Sequence, residues 1–339
     1  MDYRLQQIMT WLPQVLGHEE FDVAPASADA SFRRYFRVHY GDAGARHSAI
    51  VMDAPPGREN PLPFIAIARL LAGAGVHTPQ VLAEDLSQGF LLLSDLGEVS
   101  YLQVLNGDTA DALYGDALQA LLKIQSIPTP VAKLPPYGTG LLWQEMALFR
   151  DWLLDRHLGI SLTAAQEQRL EAGFQLLLES ALAQPKVVVH RDYHSRNLMA
   201  CEPRPGVIDF QDAVIGPLTY DLVSLLRDCY IRWPQARVEA WALAYYGQWL
   251  RQGGLRGISP SLFLRWFDLM GVQRHLKASG IFCRLHYRDQ KSGYLKDIPL
   301  TFAYVLEACQ RHDSLSDFYG LLQELAIAER LADAAVAPA

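Results

Sequence analysis

The pattern of apolar and polar positions divides this chain into a strand-rich beginning and a helix-rich remainder. Near the N-terminus, Leu5, Ile8, Leu12 and Val15 recur at helical spacing, which predicts a surface helix packed on the body of the protein. Between about residues 21 and 93, short apolar or alternating runs are separated by turn residues, and this predicts β-strands. One stretch within that region, PLPFIAIARLLAGAG, instead predicts a helix that prolines open and glycines close.

Beyond Gly97, the helical period of apolar residues dominates. Six segments show it, at residues 109–126, 141–158, 163–183, 235–252, 260–279 and 313–333. One island, residues 186–216, breaks this period and predicts two short strands, within KVVVHRDYHSRNLMA and GVIDFQDAVIG, around a polar loop. We therefore expect an α+β fold, with a small β-rich N-terminal lobe (1–96) and a large, mainly helical C-terminal lobe (97–339).

Composition and charge narrow the class of protein. A chain of 339 residues can bury the cores of two packed lobes. A net charge of −7 argues against binding nucleic acid by neutralising its phosphates. No apolar run reaches the roughly 18 residues that a membrane span requires. The segment MDYRLQQIMTWLPQVLG has an acid at Asp2 and no basic leader ahead of an apolar core, so we do not expect it to be a signal peptide. The four cysteines lack metal-site spacing, so we expect free thiols in a cytoplasmic protein.

The island concentrates the polar chemistry in two motifs. The first is H-R-D-Y-H-S-R-N at residues 190–197, and V-I-D-F-Q-D follows at residues 207–212. Phosphoryl transfer needs a carboxylate that accepts the proton of the attacking hydroxyl, oxygen ligands for Mg²⁺, and positioning. Asp192 can be that carboxylate, while Asn197 and Asp209 can offer the hard oxygen donors that Mg²⁺ prefers. The alternative is a solvated loop with helix caps.

These motifs resemble the catalytic loop H-x-D-x-x-x-x-N and the metal-binding Asp of protein kinases, in the I-D-F-Q-D form of the aminoglycoside phosphotransferase and choline kinase family. The motif G-P-L-T-Y-D-L at residues 216–222 is also the family form. The resemblance implies a bilobal protein-kinase-like fold that uses ATP and Mg²⁺, with Asp192 as the catalytic carboxylate and Asp221 bracing its loop. We interpret His190 as structural, hydrogen-bonded beneath the loop.

A candidate nucleotide site precedes the island. Residues 27–37 lie where a kinase has its phosphate-covering hairpin, but they contain no glycine. We expect serine hydroxyls and arginine charges to serve the phosphates instead, at Ser27, Ser31, Arg33, Arg34 and Arg37. Asp95 and Leu96, after an apolar strand, resemble the family's adenine-binding hinge. The alternative is a plain β-hairpin with solvated arginines.

The usual phosphate-binding ion pair of kinases is missing. Those enzymes pair a strand lysine with a helix glutamate, whereas this chain has no lysine before Lys123 and places Asp53 near the expected lysine position. The helix at residues 64–72 carries Arg69 as its only charge. We hypothesise that one of the hairpin arginines replaces the lysine. A second possibility is a reversed pair of Asp53 with Arg69 that serves only as scaffold.

The phosphoryl acceptor is less constrained by these patterns. Residues 275–289 are rich in basic side chains, which suit a carboxylate on the acceptor, and the aromatic residues around them suit a sugar ring. A basic helix end and aromatic core residues would produce the same pattern. Our candidate substrate-binding residues are Arg196, Asp212, His275 and Arg284.

Over about residues 20–300, the chain resembles the bacterial cell-wall sugar kinases that phosphorylate N-acetylmuramate and N-acetylglucosamine at the anomeric hydroxyl. The likeness rests on S-A-D-A-S-F-R-R-Y-F-R-V, V-M-D-A-P-P, H-R-D-Y-H-S-R-N-L, I-D-F-Q-D-A and H-L-K-A-S-G-I-F-C-R-L. It implies a role in peptidoglycan recycling, with a sugar-1-phosphate uridylyltransferase as the partner in the pathway. The alternatives are a kinase of another small acceptor, such as an aminoglycoside or amino alcohol, and a nucleotide-binding pseudokinase.

Overall fold

The computed structural model describes residues 2–28, 32–41 and 46–336. The chain divides into two compact units. The first comprises Met1–Val104 together with Leu198–Asp212, and the second comprises Leu105–Asn197 together with Ala213–Ala339. The first unit therefore takes in a segment of the island, in addition to the N-terminal region that the sequence assigns to the smaller lobe.

The first unit is built on a five-stranded antiparallel sheet with the order β1-β2-β3-β5-β4. The strands are β1 (Phe21–Ala28), β2 (Arg34–Tyr40), β3 (His47–Asp53), β4 (Val81–Asp85) and β5 (Phe90–Ser94). Its helices are α1 (Tyr3–Leu16), α2 (Leu62–Gly73) and the short α3 (Tyr101–Val104). The strands and the Pro-opened helix agree with the periodicity of the sequence.

Helix α1 covers one face of this sheet. Ile8, Trp11 and Leu12 pack in one buried cluster with Phe36 and Val38 of β2. Alternation along β2 places these two residues on the same face, since side chains of a strand point alternately to opposite sides. The apolar stripe of the N-terminal segment thus forms the packed surface helix that its spacing predicts.

Residues 198–212 return to the first unit as a small hairpin. Its strands are β7 (Leu198–Met199) and β8 (Gly206–Val207), which pair with each other. The Ala200 amide donates to the Val99 carbonyl over 2.8 Å, and the Val207 amide donates to the His77 carbonyl over 2.7 Å. These hydrogen bonds attach the segment that contains Asp209 to the first unit.

The second unit is mainly helical. Its helices are α4 (Ala110–Gln125), α5 (Thr129–Ala132), α6 (Thr139–Leu148), α7 (Ala164–Leu182), α8 (Tyr220–Leu226), α9 (Gln235–Arg251), α10 (Pro260–Asp289), α11 (Ile298–Arg311), α12 (Ser316–Glu324) and α13 (Ile327–Val336). A π-helix, Phe149–His157, continues α6, and 3₁₀ turns lie at Ser195–Asn197, Ser292–Asp297 and Asp313–Leu315. No helix in the described ranges has the length and apolar character needed to cross a membrane.

Helix α10 runs through the core of this unit, and Gly280 sets how closely it packs. A Cβ atom at Gly280 would lie 2.3 Å from both the carbonyl carbon and the oxygen of Leu148, where α6 passes into the π-helix. Real Cβ atoms do not approach backbone this closely. The absence of a side chain at Gly280 therefore permits the contact of two backbones.

The island differs from its prediction in the second strand. Strand β6 (Lys186–Val189) forms as expected, but its partner is β9 (Val214–Pro217), with Val188 opposite Ile215. The segment GVIDFQDAVIG is two strands, β8 and β9, and not one. Asp209 lies between them with φ 63°, a left-handed conformation that interrupts extended backbone.

Candidate active site

Strand β6 delivers the predicted catalytic loop. Val187, Val188 and Val189 are buried, and the loop begins at His190, directly after the strand. The carboxylate of Asp221, in the first turn of α8, accepts hydrogen bonds from the His190 amide (2.7 Å) and the Arg191 amide (3.0 Å). Asp221 therefore contacts the loop backbone at the position that the sequence interpretation gives it.

Burial raises the pKa of the Asp221 carboxyl to about 7. The two backbone amides lower this pKa, but burial has the larger effect. The amides favour the carboxylate because each donates to one of its oxygens. The loop and this buried acid are therefore energetically linked: protonation of Asp221 weakens the bonds that hold the His190–Arg191 backbone.

Arg191 adopts an unusual backbone conformation, with φ 78°. A non-glycine residue there carries a local free-energy cost, so other contacts must maintain it. Two do so: the Arg191 amide bonds Asp221, and the guanidinium lies 2.6 Å from the Glu145 carboxylate. The turn at Arg191 is thus clamped from both the backbone and the side chain.

Hydrogen bonds within the loop involve both the amide and the carbonyl group of Asp192. The Asp192 amide donates to Nδ1 of His190 over 3.3 Å, so His190 lies beneath the loop as an acceptor. The Asp192 carbonyl accepts from the His194 amide and from Nδ2 of Asn197, each over 3.0 Å. These bonds fix the backbone from which the half-buried Asp192 carboxylate projects.

The electrostatic surroundings keep the Asp192 carboxylate charged. Burial raises the pKa of this carboxyl, but nearby positive charge, above all that of Lys277, outweighs burial and holds the pKa below its ordinary value. A carboxylate that stays ionised at neutral pH can orient a hydroxyl and accept its proton.

Asn197 and Asp209 carry the oxygen chemistry that Mg²⁺ requires. Nδ2 of Asn197 is committed to the Asp192 carbonyl, so a metal ligand from this residue would be its amide oxygen. In the first unit, Asp209 Oδ1 accepts from Nε2 of Gln211 over 2.7 Å. The described residues contain no group of three or more His, Cys, Asp or Glu side chains suited to a metal ion. A carboxylate and an amide oxygen are each a donor type that Mg²⁺ accepts, alongside phosphates and waters.

A buried charge cluster, which the sequence motifs do not predict, supports the loop. The Glu145 carboxylate lies 3.0 Å from Nζ of Lys277 and also accepts from Arg191 and from the Tyr137 hydroxyl. Nζ of Lys277 donates to the Tyr220 hydroxyl over 2.8 Å. Burial lowers the pKa of Lys277, but Glu145 overcomes this and raises it above its usual value. The one signal in the sequence was a lysine amid small and apolar residues in H-L-K-A-S-G.

Two of the hairpin arginines are held by carboxylates. Arg34 donates to Asp53 at 2.6 and 3.0 Å, and Arg37 donates to Asp95 at 2.7 Å. Asp53 is fully buried and also accepts from Nε of Arg4, 3.0 Å away on α1. To bind a phosphate, each arginine would have to divide its hydrogen bonds between the phosphate and its carboxylate partner, or release that partner.

The reversed scaffold pair suggested by the sequence is not formed. Asp53 bonds Arg4 and Arg34, while Arg69 lies 3.5 Å from Glu84. Sequence spacing does not predict Arg4 as a partner, because it lies 49 residues from Asp53 along the chain. Asp53 does act as scaffold, but with different partners.

The remaining nucleotide candidates have varied surroundings. Arg33 lies 4.0 Å from Glu59, and Leu96 is buried. Ser31 lies outside the described residues, as does the side chain of Ser27, whose backbone belongs to β1. Their roles stay predictions.

The candidate acceptor residues lie in unlike environments. His275 is fully buried, with Nε2 2.8 Å from the Arg227 carbonyl and its ring stacked on Tyr304, and this favours a structural role over substrate contact. Arg284 is half-buried on α10, and burial lowers its pKa. Asp212 is exposed.

The fourth acceptor candidate, Arg196, stacks on an aromatic ring. Its guanidinium carbon lies 3.5 Å from the Tyr230 ring centroid. Arg196 belongs to the same loop as Asp192, so of the four candidates it is joined most directly to the predicted catalytic carboxylate.

Comparison with known sequences identifies relatives along nearly the whole chain. The profile of the phosphotransferase enzyme family matches residues 22–260. An N-acetylmuramate/N-acetylglucosamine kinase of Pseudomonas putida is 49% identical over 334 residues, covering 96% of this chain and 97% of the relative. Proteins of the same name from Pseudomonas aeruginosa and Neisseria meningitidis are 48% and 41% identical, with the same coverage.

Solved structures agree on the fold. A choline/ethanolamine kinase family protein from Mesorhizobium loti has a TM-score of 0.63 at 15% identity, covering 95% of this chain and 99% of that one. An ADP-bound aminoglycoside phosphotransferase has a TM-score of 0.57 at 18% identity, covering 91% and 99%. The expected α+β protein-kinase-like fold is confirmed. Because the family profile spans well over half of the chain and the relatives nearly all of it, the chain belongs to the phosphotransferase enzyme family.

Proposed function

We propose that this protein is an ATP-dependent kinase that phosphorylates the anomeric hydroxyl of N-acetylmuramate and N-acetylglucosamine. The observation that carries the proposal is the near-full-length identity, up to 49%, to kinases named for these two sugars. The catalytic loop around Asp192 supplies the chemistry that such a kinase requires.

Asp192 is the proposed catalytic residue. Its carboxylate orients the anomeric hydroxyl and accepts the hydroxyl proton as the γ-phosphoryl group passes from ATP to the sugar oxygen. An anomeric hydroxyl is more acidic than an ordinary alcohol, so a carboxylate of low pKa suffices as the acceptor. The products are ADP and a sugar 1-phosphate.

Asn197 and Asp209 are the proposed ligands of Mg²⁺, through the amide oxygen and the carboxylate. When bound, the metal neutralises charge on the ATP phosphates. His190 and Asp221 support the loop without taking part in the chemistry. The cytoplasm, where ATP is available, is the proposed location.

On the nucleotide side, Asp95 and Leu96 belong to the proposed adenine hinge, and Ser27, Ser31 and the hairpin arginines serve the phosphates. The triple variant R33Q/R34Q/R37Q tests the arginines together. We expect its KM for ATP to rise, and an unchanged KM would remove them from the nucleotide site. Solved neighbours bound to ADP and to GDP support a purine nucleotide as donor.

The proposed place in metabolism is peptidoglycan recycling. A sugar 1-phosphate is the substrate that a nucleotidyl transfer needs to form a UDP-sugar. A sugar-1-phosphate uridylyltransferase would therefore consume the product, as a partner in the pathway and not in a complex.

The decisive experiment is a coupled assay of ATP turnover with Mg²⁺ against N-acetylmuramate, N-acetylglucosamine, glucose, choline and kanamycin. Phosphorus NMR of the product identifies the phosphorylated position. We expect turnover with the two N-acetyl sugars and an anomeric phosphate signal. Turnover with choline or kanamycin alone would favour the kinase of another small acceptor, and ATP binding without any turnover would favour the pseudokinase.

A further inference from the structure

Among the residues that the structure describes, the guanidinium of Arg196 lies against aromatic rings and pairs with no acid. Its central carbon lies 3.5 Å from the ring centroid of Tyr230 and 5.6 Å from that of Tyr294. In the described part of the chain, this guanidinium makes neither a hydrogen bond nor an ion pair. Stacking occupies the face of the group, and its N–H donors lie along the edge. A half-buried arginine in this state can still bind an anion in the plane of the guanidinium.

The position of Arg196 is fixed by a buried carboxylate. Asp228 Oδ2 accepts from the amide of Ser195, 3.0 Å away, and from the Ser195 hydroxyl. Asp228 Oδ1 accepts from the amide of Tyr230, 3.2 Å away. One acid thereby joins the residue before Arg196 to the tyrosine beneath it, so the arginine and its aromatic support are positioned before any ligand arrives.

Asp297 interacts electrostatically with Arg196 but does not pair with it. Burial raises the pKa of the Asp297 carboxyl and Arg196 lowers it, so the two charges interact. They are nevertheless not paired, and Asp297 Oδ2 is buried without a hydrogen-bond partner. The Arg196 edge therefore remains open to an external carboxylate.

We propose that Arg196 binds the lactyl carboxylate of N-acetylmuramate and distinguishes this acceptor from N-acetylglucosamine, which bears a hydroxyl in place of the lactyl ether. The inference rests on the proposed function and assigns a specificity-determining residue to it. Arg196 follows Asp192 by four residues in one braced loop. A sugar whose anomeric hydroxyl meets Asp192 thus presents another of its substituents to the same loop. A planar guanidinium can bind a carboxylate with two parallel hydrogen bonds.

The test compares R196Q with the wild type on three acceptors: N-acetylmuramate, N-acetylglucosamine and the neutral methyl ester of N-acetylmuramate. We expect the KM for N-acetylmuramate to rise about tenfold to a hundredfold, the loss expected for charged hydrogen bonds, with kcat little changed. The KM values for the other two acceptors should stay near those of the wild type. In the wild type itself, the ester should bind more weakly than the acid.

Two further variants sharpen the comparison. R196K keeps the charge but not the planar fork, so its KM for N-acetylmuramate should lie between those of R196Q and the wild type. R237Q is the matched control, because Arg237 also stacks on aromatic rings, 5.1 Å from Trp233 and 5.0 Å from Trp241, but is paired with Asp111. R237Q should leave the preference between the two sugars unchanged.

Several outcomes would overturn the inference. Equal losses on all three acceptors would show that Arg196 only supports the loop, and an unchanged KM for N-acetylmuramate in R196Q would exclude the contact. If R284Q, but not R196Q, selectively raised the KM for N-acetylmuramate, the lactyl carboxylate would instead bind Arg284 on α10. Wild-type turnover of both sugars with no preference for the acid over its ester would refute this inference alone. If the wild type turned over neither sugar, both the proposed function and this inference would be refuted.

Discussion

Asp221 Oδ2 lies 2.7 Å from the backbone nitrogen of His190, so a buried acid of α8 holds the first residue of the proposed catalytic loop. Its other oxygen holds the next residue, Arg191, whose guanidinium in turn contacts Glu145. The loop is therefore positioned by side chains that come from two other helices. This arrangement explains how a loop with a left-handed residue can present Asp192 in a defined place.

Replacing Asp221 by Asn should loosen the loop. An amide cannot accept from both backbone N–H groups, since one of its two terminal atoms is itself a donor. We expect the free energy of unfolding to fall by about 1 to 3 kcal/mol, the usual consequence of a buried unsatisfied polar group, together with a lower kcat. Urea unfolding and steady-state kinetics measure the two effects. D108N, at an exposed position, is the control, and a kcat equal to that of the wild type in D221N would show that the brace is dispensable for chemistry.

Replacing Asp192 by Asn should abolish most of the turnover. The amide keeps the shape of the side chain but cannot accept the hydroxyl proton. We expect kcat to fall about 10²- to 10⁴-fold, the range for a lost acid–base group. Nucleotide affinity, measured by titration with a fluorescent ATP analogue, should change little. D155N, an exposed substitution in the same unit, controls for loss of a surface charge; near-full kcat in D192N would assign proton transfer to another group.

Removing the charge of Lys277 should change the pH dependence of catalysis. A positive charge stabilises the Asp192 carboxylate and lowers its pKa, so its loss must raise that pKa. In K277M, the acid limb of the kcat/KM profile should therefore move to higher pH. K277R retains the charge and should keep the limb near that of the wild type. Identical profiles in all three proteins would mean that Lys277 does not tune Asp192.

Asp53 should matter for stability rather than for chemistry. It is fully buried and accepts from both Arg4 and Arg34, so D53N leaves two arginines without their acid. We expect the free energy of unfolding to drop by about 2 kcal/mol or more, with kcat at saturating ATP preserved. D22N is the matched control in the same sheet, because Asp22 pairs with Arg46 in solvent and such pairs contribute about 0 to 1 kcal/mol. A large loss of kcat in D53N would instead assign this residue to the nucleotide site.

Gly280 should tolerate no side chain. G280A would place a Cβ atom 2.3 Å from the Leu148 backbone, and overpacking of this kind costs roughly 1 to 3 kcal/mol or more. In contrast, G115A on α4 meets no atom within 4 Å and should stabilise the protein by about 0.5 to 1 kcal/mol. Thermal unfolding of both variants gives the comparison. A G280A protein as stable as the wild type would mean that α10 can shift away from Leu148 at little cost.

Local sequence periodicity predicted most of the helices and strands. Helices α4, α7 and α9 match their expected segments to within about one residue, and β6 lies where the first island strand was expected. The π-helix after α6 was not predicted, because the same apolar spacing fits several helical geometries over short segments. Helix α10 also continues past its expected end at residue 279, to Asp289.

The predicted chemistry of the loop depended on residues that are contiguous in sequence. Asp192 and Asn197 lie within one motif, so their spacing alone indicated that they act together, and the Asp192 carbonyl does accept from Asn197. The environment of His275 did not follow from its motif, since a basic residue near a helix end can face either solvent or the core. Its burial against Tyr304 depends on how α10 packs on α11.

Contiguous motifs indicated the family, and local periodicity predicted most strands and long helices, because both depend on neighbouring residues. Helix α11 and the separation of β8 from β9 were not predicted. The meeting of distant groups depends on tertiary folding instead: β6 pairs with β9, Asp53 with Arg4, and Glu145 with Lys277. Charge pairing and strand pairing act at distances of a few ångströms. Residues far apart in the chain reach those distances only when the whole fold brings their segments together.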